Sequence, residues 1–180
     1  MKRSNSVIAL ITICTLIGHI FTTMLFLLTG FRIELLNNIF ARTTYGLLLL
    51  HILISIIVLL RHDAKPVSVK YPLVTKRVWI QRATGVAILI LLHPHISQMV
   101  LILRQLPMEG AGKLKFILIN LLFFGTIFLH IAISFSRAFI SLGLMVEINS
   151  IKKCDRITYT LCLLGFLLTA ICLLFFIKGY

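Results

Sequence analysis

The stretch Trp79–Gln98, WIQRATGVAILILLHPHISQ, decides how the rest of the chain is read. A helix needs about 20 apolar residues to cross the hydrocarbon core of a bilayer, and this stretch qualifies. Yet it carries two histidines, His93 and His95, near its middle. Imidazole in lipid is costly without a partner, so an ionisable residue inside a span points to function. Working outward, three other apolar segments each carry one histidine near mid-span: His19, His51 and His130. Four neighbouring helices, each with an inward histidine, suit haem iron held between pairs of imidazoles. Neutral imidazole is an axial ligand of haem, and ligand identity and burial tune the potential.

The composition agrees with a membrane protein. Of 180 residues, 59% are hydrophobic and the mean hydropathy is +1.06, whereas soluble domains are roughly 45–50% apolar. Eighteen Lys and Arg outweigh five acidic residues, for a net charge of +13. Nucleic acid would attract such a charge, but the basic residues sit in short linkers between long apolar runs. Membrane topology explains that distribution better, and no nucleic-acid partner is expected. Cys14, Cys154, Cys162 and Cys172 have no C-x-x-C spacing, and three of them lie in apolar segments. They read as packing rather than as a disulfide or zinc framework. The first segment follows Lys2 and Arg3 as a signal peptide would. Its apolar run, Val7 to Leu28, is too long for an h-region, and no small-x-small cleavage site follows, so it reads as a spanning helix.

Five spans are expected, at about 6–29, 42–60, 78–103, 114–141 and 157–177. The fold class is all-α, a bundle of five transmembrane helices forming one haem-binding domain over residues 1–180. The linkers are short, so sequential helices are expected to be antiparallel neighbours. In the first linker, Gly30 to Ala41, the segment FRIELLNNIF has the character of a short interfacial helix. Eleven basic residues fall on the side of the amino terminus and of the second and fourth linkers, and six on the other. The positive-inside rule then places the amino terminus in the cytoplasm and, after five crossings, the carboxyl terminus outside.

At about 1.5 Å rise per residue, His19 and His95 lie toward the outer side and His51 and His130 toward the inner side. Two bis-histidine haems stacked across the membrane would make an electron path. His93 and His95 are about 200° apart around a helix, so only one of them faces inward. His95 shares a stripe with Gln81, Thr84 and Gln98. That polar stripe suits a protein interior and favours His95, with His93 as the alternative. Pro94 between them weakens the ideal projection. Arg137 follows His130 by two turns on nearly the same face, about 10 Å further toward the cytoplasm. A charge there needs an anionic partner, and a haem propionate would offer one with the bidentate geometry arginine favours. Small Ser134 between them leaves room for a flat macrocycle. The plain reading of any single histidine is a hydrogen bond to a neighbouring helix. Arg137 has a plain reading too, as a snorkelling residue at a helix end. His62 reads as a solvated interfacial residue.

With these residues in place, the chain resembles the dihaem cytochrome b anchor of succinate dehydrogenases and quinol:fumarate reductases. Three features carry the resemblance: one histidine in each of the first four of five helices, the pattern Trp79-x-Gln81-x-x-Thr84-Gly85 with His95 eleven residues after the threonine, and His130-x-x-x-Ser134-x-x-Arg137. The resemblance implies His19, His51, His95 and His130 as axial ligands of two b haems, with helices 1 and 3 and helices 2 and 4 paired, and Arg137 beside the inner haem. It implies a bacterial cytoplasmic membrane, a quinone or menaquinone substrate, and flavoprotein and iron–sulfur partners on the cytoplasmic side. Some members place a glutamate two residues before the fourth histidine as a proton carrier, where this chain has Phe128. Glu34, at the outer mouth between helices 1 and 2, is the remaining acidic candidate for a quinone-site proton acceptor, or else an ordinary loop charge. Two other readings stand beside this one: a haem-free transporter subunit or assembly factor, and a haem b anchor of another dehydrogenase.

Overall fold

The computed structural model of the chain describes residues 2–31, 33–62, 72–103 and 110–179. These residues form five helices: α1 (Lys2–Thr29), α2 (Glu34–His62), α3 (Pro72–Leu103), α4 (Gly110–Leu142) and α5 (Ile148–Gly179). All five are long and apolar enough to cross a membrane, and no strand occurs among the described residues. Large side chains such as Ile17, Phe21 and Leu35 point outward at 61%, 67% and 75% exposure. That apolar exterior is what a multi-pass membrane protein turns toward lipid, since water-soluble monomers rarely expose large apolar patches.

The helices run past the apolar segments that announce them. Hydropathy marks only what lies in hydrocarbon, while backbone hydrogen bonding continues into the polar margin until a residue stops it. Gly30, at φ 70°, closes α1 with its N–H on the Phe26 carbonyl at 2.9 Å. Gly143, at φ 78°, closes α4, and Leu144 N–H reaches back to Phe139 O at 3.0 Å. The left-handed region costs glycine nothing, which makes it a helix stop. No such stop lies between Glu34 and Tyr45. From Glu34 on, the segment expected as a separate interfacial helix is therefore the opening of α2, continuous with its spanning part. Likewise most of the expected fourth linker is the start of α5. Pro72 opens α3 in the first turn, where a missing N–H is harmless. Most of the second and third linkers, and the side chain of His62, lie outside the described residues.

Polar contacts between spans set direction and register. Asn5 donates to Ser55 at 3.1 Å and the Thr22 hydroxyl meets the Asn37 amide at 3.0 Å, so α1 and α2 are antiparallel. Ser6 meets Ser141, tying the start of α1 to the end of α4. Thr84 with His130 and His95 with Asn120 make α3 and α4 antiparallel. The Arg77 guanidinium holds the Asp155 carboxylate in a bidentate pair at 2.9 and 3.0 Å, joining the starts of α3 and α5. The helices thus alternate in direction, and the two ends of the chain lie at opposite ends of the bundle.

α4 is the central helix. It packs on α1, α3 and α5, and α1 also packs on α2 and α5. Phe116, Phe123, Phe124 and Ile127 of α4 supply half of the buried apolar core, with Leu27, Ile88, Ile102 and Leu173. Close approaches use glycine: the Phe40 ring lies on the α1 backbone at Gly18, and the Phe128 ring on the α5 backbone at Gly165. Small residues let helices pack tightly where lipid supplies no hydrophobic drive. The expectation that all sequential helices are neighbours fails at α2 and α3, which share no extended contact. Lateral order is set by matching faces, and the second linker is long enough to let α3 dock on α4 instead. Helices α1 to α4 therefore form a ring closed on three edges and open between α2 and α3.

Candidate functional site

His19 on α1 and His51 on α2 are half-buried, as is His130 on α4, while His95 on α3 is buried at 8% exposure. His93 is exposed. The alternative between the two α3 rings thus has a structural description: His95 points into the bundle with Thr84 and Gln98, and His93 points out of it.

The four inner imidazoles fall into two pairs. His95 and His19 lie close enough to interact electrostatically, and so do His130 and His51. Each pair joins helices on opposite corners of the ring. The pairs occupy two levels. Along α3, the positions facing the two α4 contacts are Thr84 and His95, eleven residues or about 16 Å apart. Along α1, the Asn5–Ser55 and Thr22–Asn37 contacts place His51 well toward the start of the helix from His19, by roughly 15 Å.

Hydrogen bonding fixes which ring nitrogen is available. Thr84 Oγ1 lies 2.8 Å from Ile80 O and 3.0 Å from Gln81 O. Its single hydrogen goes to its own helix, so Oγ1 accepts from His130 Nδ1–H at 2.9 Å. The lone pair of His130 is then on Nε2. Gly85 sits against this ring, where a Cβ would lie 3.5 Å from His130 Cε1. His95 Nδ1 lies 2.7 Å from Asn120 Oδ1, with the Phe123 ring stacked on it at 4.4 Å. Across each pair, His19 Nδ1 and His51 Nδ1 are buried without a well-formed hydrogen bond, although Asn37 lies within reach of the His19 ring and the Asn5 backbone within reach of His51. Buried polar atoms are rarely left so, and such an orphan asks for a ligand or an ion.

These donors fit haem. The described residues hold no cluster of three or more His, Cys, Asp or Glu arranged for a metal ion. Two neighbouring imidazoles do not make a four-coordinate zinc site, but two would suffice as ligands for an iron whose other donors come from a macrocycle.

Arg137 is half-buried, two turns from His130, and donates from Nη1 to Gln81 Oε1 at 2.8 Å. Among the described residues it makes no salt bridge, so Gln81 is the partner of the charge for which an anion was expected. Ser134 is turned back onto its own helix, donating to His130 O at 2.5 Å. It serves as a small spacer. Glu34 is exposed in the first turn of α2 rather than in a loop, where the helix dipole favours a carboxylate. Phe128 packs on Gly165. The four cysteines are free. Sequence reasoning missed Asn120, because a lone asparagine in an apolar run carries no mark of its partner. Its position one turn from the Phe123–Phe124 pair on the strongly apolar face of α4 was the only available signal.

No family model matches this chain, and no curated protein or solved structure matches it.

Proposed function

We propose that this chain is a membrane-anchor cytochrome b. It holds two bis-histidine b haems and passes electrons between a membrane quinone or menaquinone and a succinate dehydrogenase or fumarate reductase core. The observation that carries the reading is the arrangement of four inner imidazoles as two pairs, on diagonal helices, at two levels. A buried Nδ1 without a well-formed hydrogen bond in each pair, at His19 and at His51, supports it. The resemblance of the Trp79–Gly85 and His130–Arg137 patterns supplies the partner class: a flavoprotein and an iron–sulfur subunit on the cytoplasmic side of a bacterial cytoplasmic membrane.

On this reading His19 and His95 hold one haem, and His51 and His130 the other. Bound haem supplies one-electron transfer at its iron. The chain does the rest. Thr84 fixes the His130 ring with Nε2 inward. Gly85 lies against that ring. The phenylalanines of α4 exclude water around His95. Arg137, steadied by Gln81, offers a cation to a propionate two turns from His130. Glu34, at the end of the bundle nearer the His19 level, is the acidic group placed to take a proton from quinol.

The test is a reduced-minus-oxidised spectrum with pyridine haemochrome quantification on the purified chain. Two low-spin b haems per chain are expected. No haem, in folded protein made with adequate haem supply, would overturn the reading and leave a haem-free transporter subunit or assembly factor.

A further inference from the structure

Asn120 is fully buried in the middle of an apolar helix, and its amide is saturated in only one orientation. Nδ2 donates to the Phe116 backbone carbonyl at 2.8 Å and to Gln98 Oε1 at 3.0 Å. An amide nitrogen has two hydrogens, and both are used. The Phe116 carbonyl is an acceptor without ambiguity, so turning the amide over would set oxygen against oxygen. Oδ1 therefore faces His95 Nδ1 at 2.7 Å. Amide oxygen only accepts, which puts the imidazole hydrogen on Nδ1 and the lone pair on Nε2. The Phe123 ring, stacked at 4.4 Å, and the Phe124 ring, edge-on at 5.7 Å, hold the plane of the imidazole.

We infer that Asn120 is the positioning residue of the His19–His95 site: it dictates the tautomer of His95, presents Nε2 inward as the ligand, and sets how strongly that imidazole donates. The inference rests on the haem reading above. An acceptor on the far nitrogen of a ligating histidine raises its basicity and fixes its orientation. The two sites are thereby unequal. His95 leans on an amide carbonyl locked from behind by Gln98 and Phe116, whereas His130 leans on a threonine hydroxyl. No acidic residue is needed to produce the difference.

The experiment measures the haem midpoint potentials of the full chain carrying Asn120→Leu or Asn120→Asp. Asn120→Leu removes the acceptor, weakens donation from His95 and raises one of the two potentials. Asn120→Asp supplies a charged acceptor and lowers that same potential. The other potential stays at its parental value in both. A merely structural role gives no shift, or shifts of the same sign in both variants, and either result overturns the inference. Should Asn120→Leu not fold, Gln98→Leu loosens the lock and must raise the same potential by less. Nitrogen-15 NMR of the histidine rings in chain prepared without haem separates the two readings. An Nδ1–H tautomer at His95 that becomes mixed in Asn120→Leu supports the role of Asn120 even if no haem binds. An Nε2–H tautomer overturns it even if haem binds.

Discussion

His130 and His95 differ from an ordinary intramembrane histidine in what stands behind them. Each has its Nδ1 hydrogen committed, to Thr84 Oγ1 and to Asn120 Oδ1, and each lies near a histidine whose Nδ1 has no well-formed hydrogen bond. Losing one member should therefore disable one site only. On the proposed dihaem reading, His130→Ala is expected to remove one haem or convert it to high spin, and to leave the one assigned to His19 and His95 low-spin. Electron paramagnetic resonance reads the two sites separately. Retention of both low-spin signals would refute the assignment. The histidines themselves were legible in the sequence, because four imidazoles in four apolar runs are conspicuous. Their supports were less so. Thr84 and Gln81 were found as a polar stripe on α3, yet Gln81 turns out to serve Arg137 across the helix interface. The identity of a hydrogen-bond partner depends on which faces meet, and periodicity within one helix does not carry that.

The α1–α2 pair is held by contacts too close for any side chain on one partner. A Cβ at Gly18 would lie 2.7 Å from the Phe40 ring. The half-buried Phe40 ring must shift to admit it. Gly18→Ala is expected to destabilise the fold by about 1–3 kcal/mol through overpacking. Gly46 on the neighbouring helix has nothing within 4 Å of its would-be Cβ. There Gly46→Ala adds helix propensity without a clash, worth up to about 1 kcal/mol. Thermal unfolding in detergent should show a lower midpoint for the first and an equal or higher one for the second. The positions of the five helices were readable because a run of apolar residues is a local property. Their ends were not. The FRIELLNNIF segment is amphipathic enough to suggest a surface helix, but without a glycine or proline to break it the backbone carries on into α2.

The whole bundle alternates in direction, which puts Lys2 and the last turn of α5 at opposite ends. The start of α1, the end of α2, the starts of α3 and α5 and the end of α4 share one end, tied by the Asn5–Ser55, Ser6–Ser141 and Arg77–Asp155 contacts. Among the described residues, that same end holds most of the basic ones. The positive-inside rule predicts that this end faces the cytoplasm. Fusions after Tyr180 test this: alkaline phosphatase should be active and green fluorescent protein dark. The opposite pattern would invert the bundle and put the end that holds Gly30 in the cytoplasm.

By itself the sequence determined that this is a membrane protein of five helices, with histidines at mid-span on four of them. Those facts depend only on which residues follow one another, because hydrocarbon selects for length and hydropathy one segment at a time. Only the tertiary structure decided that α3 docks on α4 and leaves an edge open toward α2, and that His95 faces inward while His93 faces out. It also decided that Asn120 stands behind His95 and that Gln81 meets Arg137. These depend on how each helix is rotated and which face it offers its neighbour. That choice is made by side chains far apart in sequence: the glycines that admit Phe40 and Phe128, the aromatic face of α4, and the few polar groups that must find partners where there is no water.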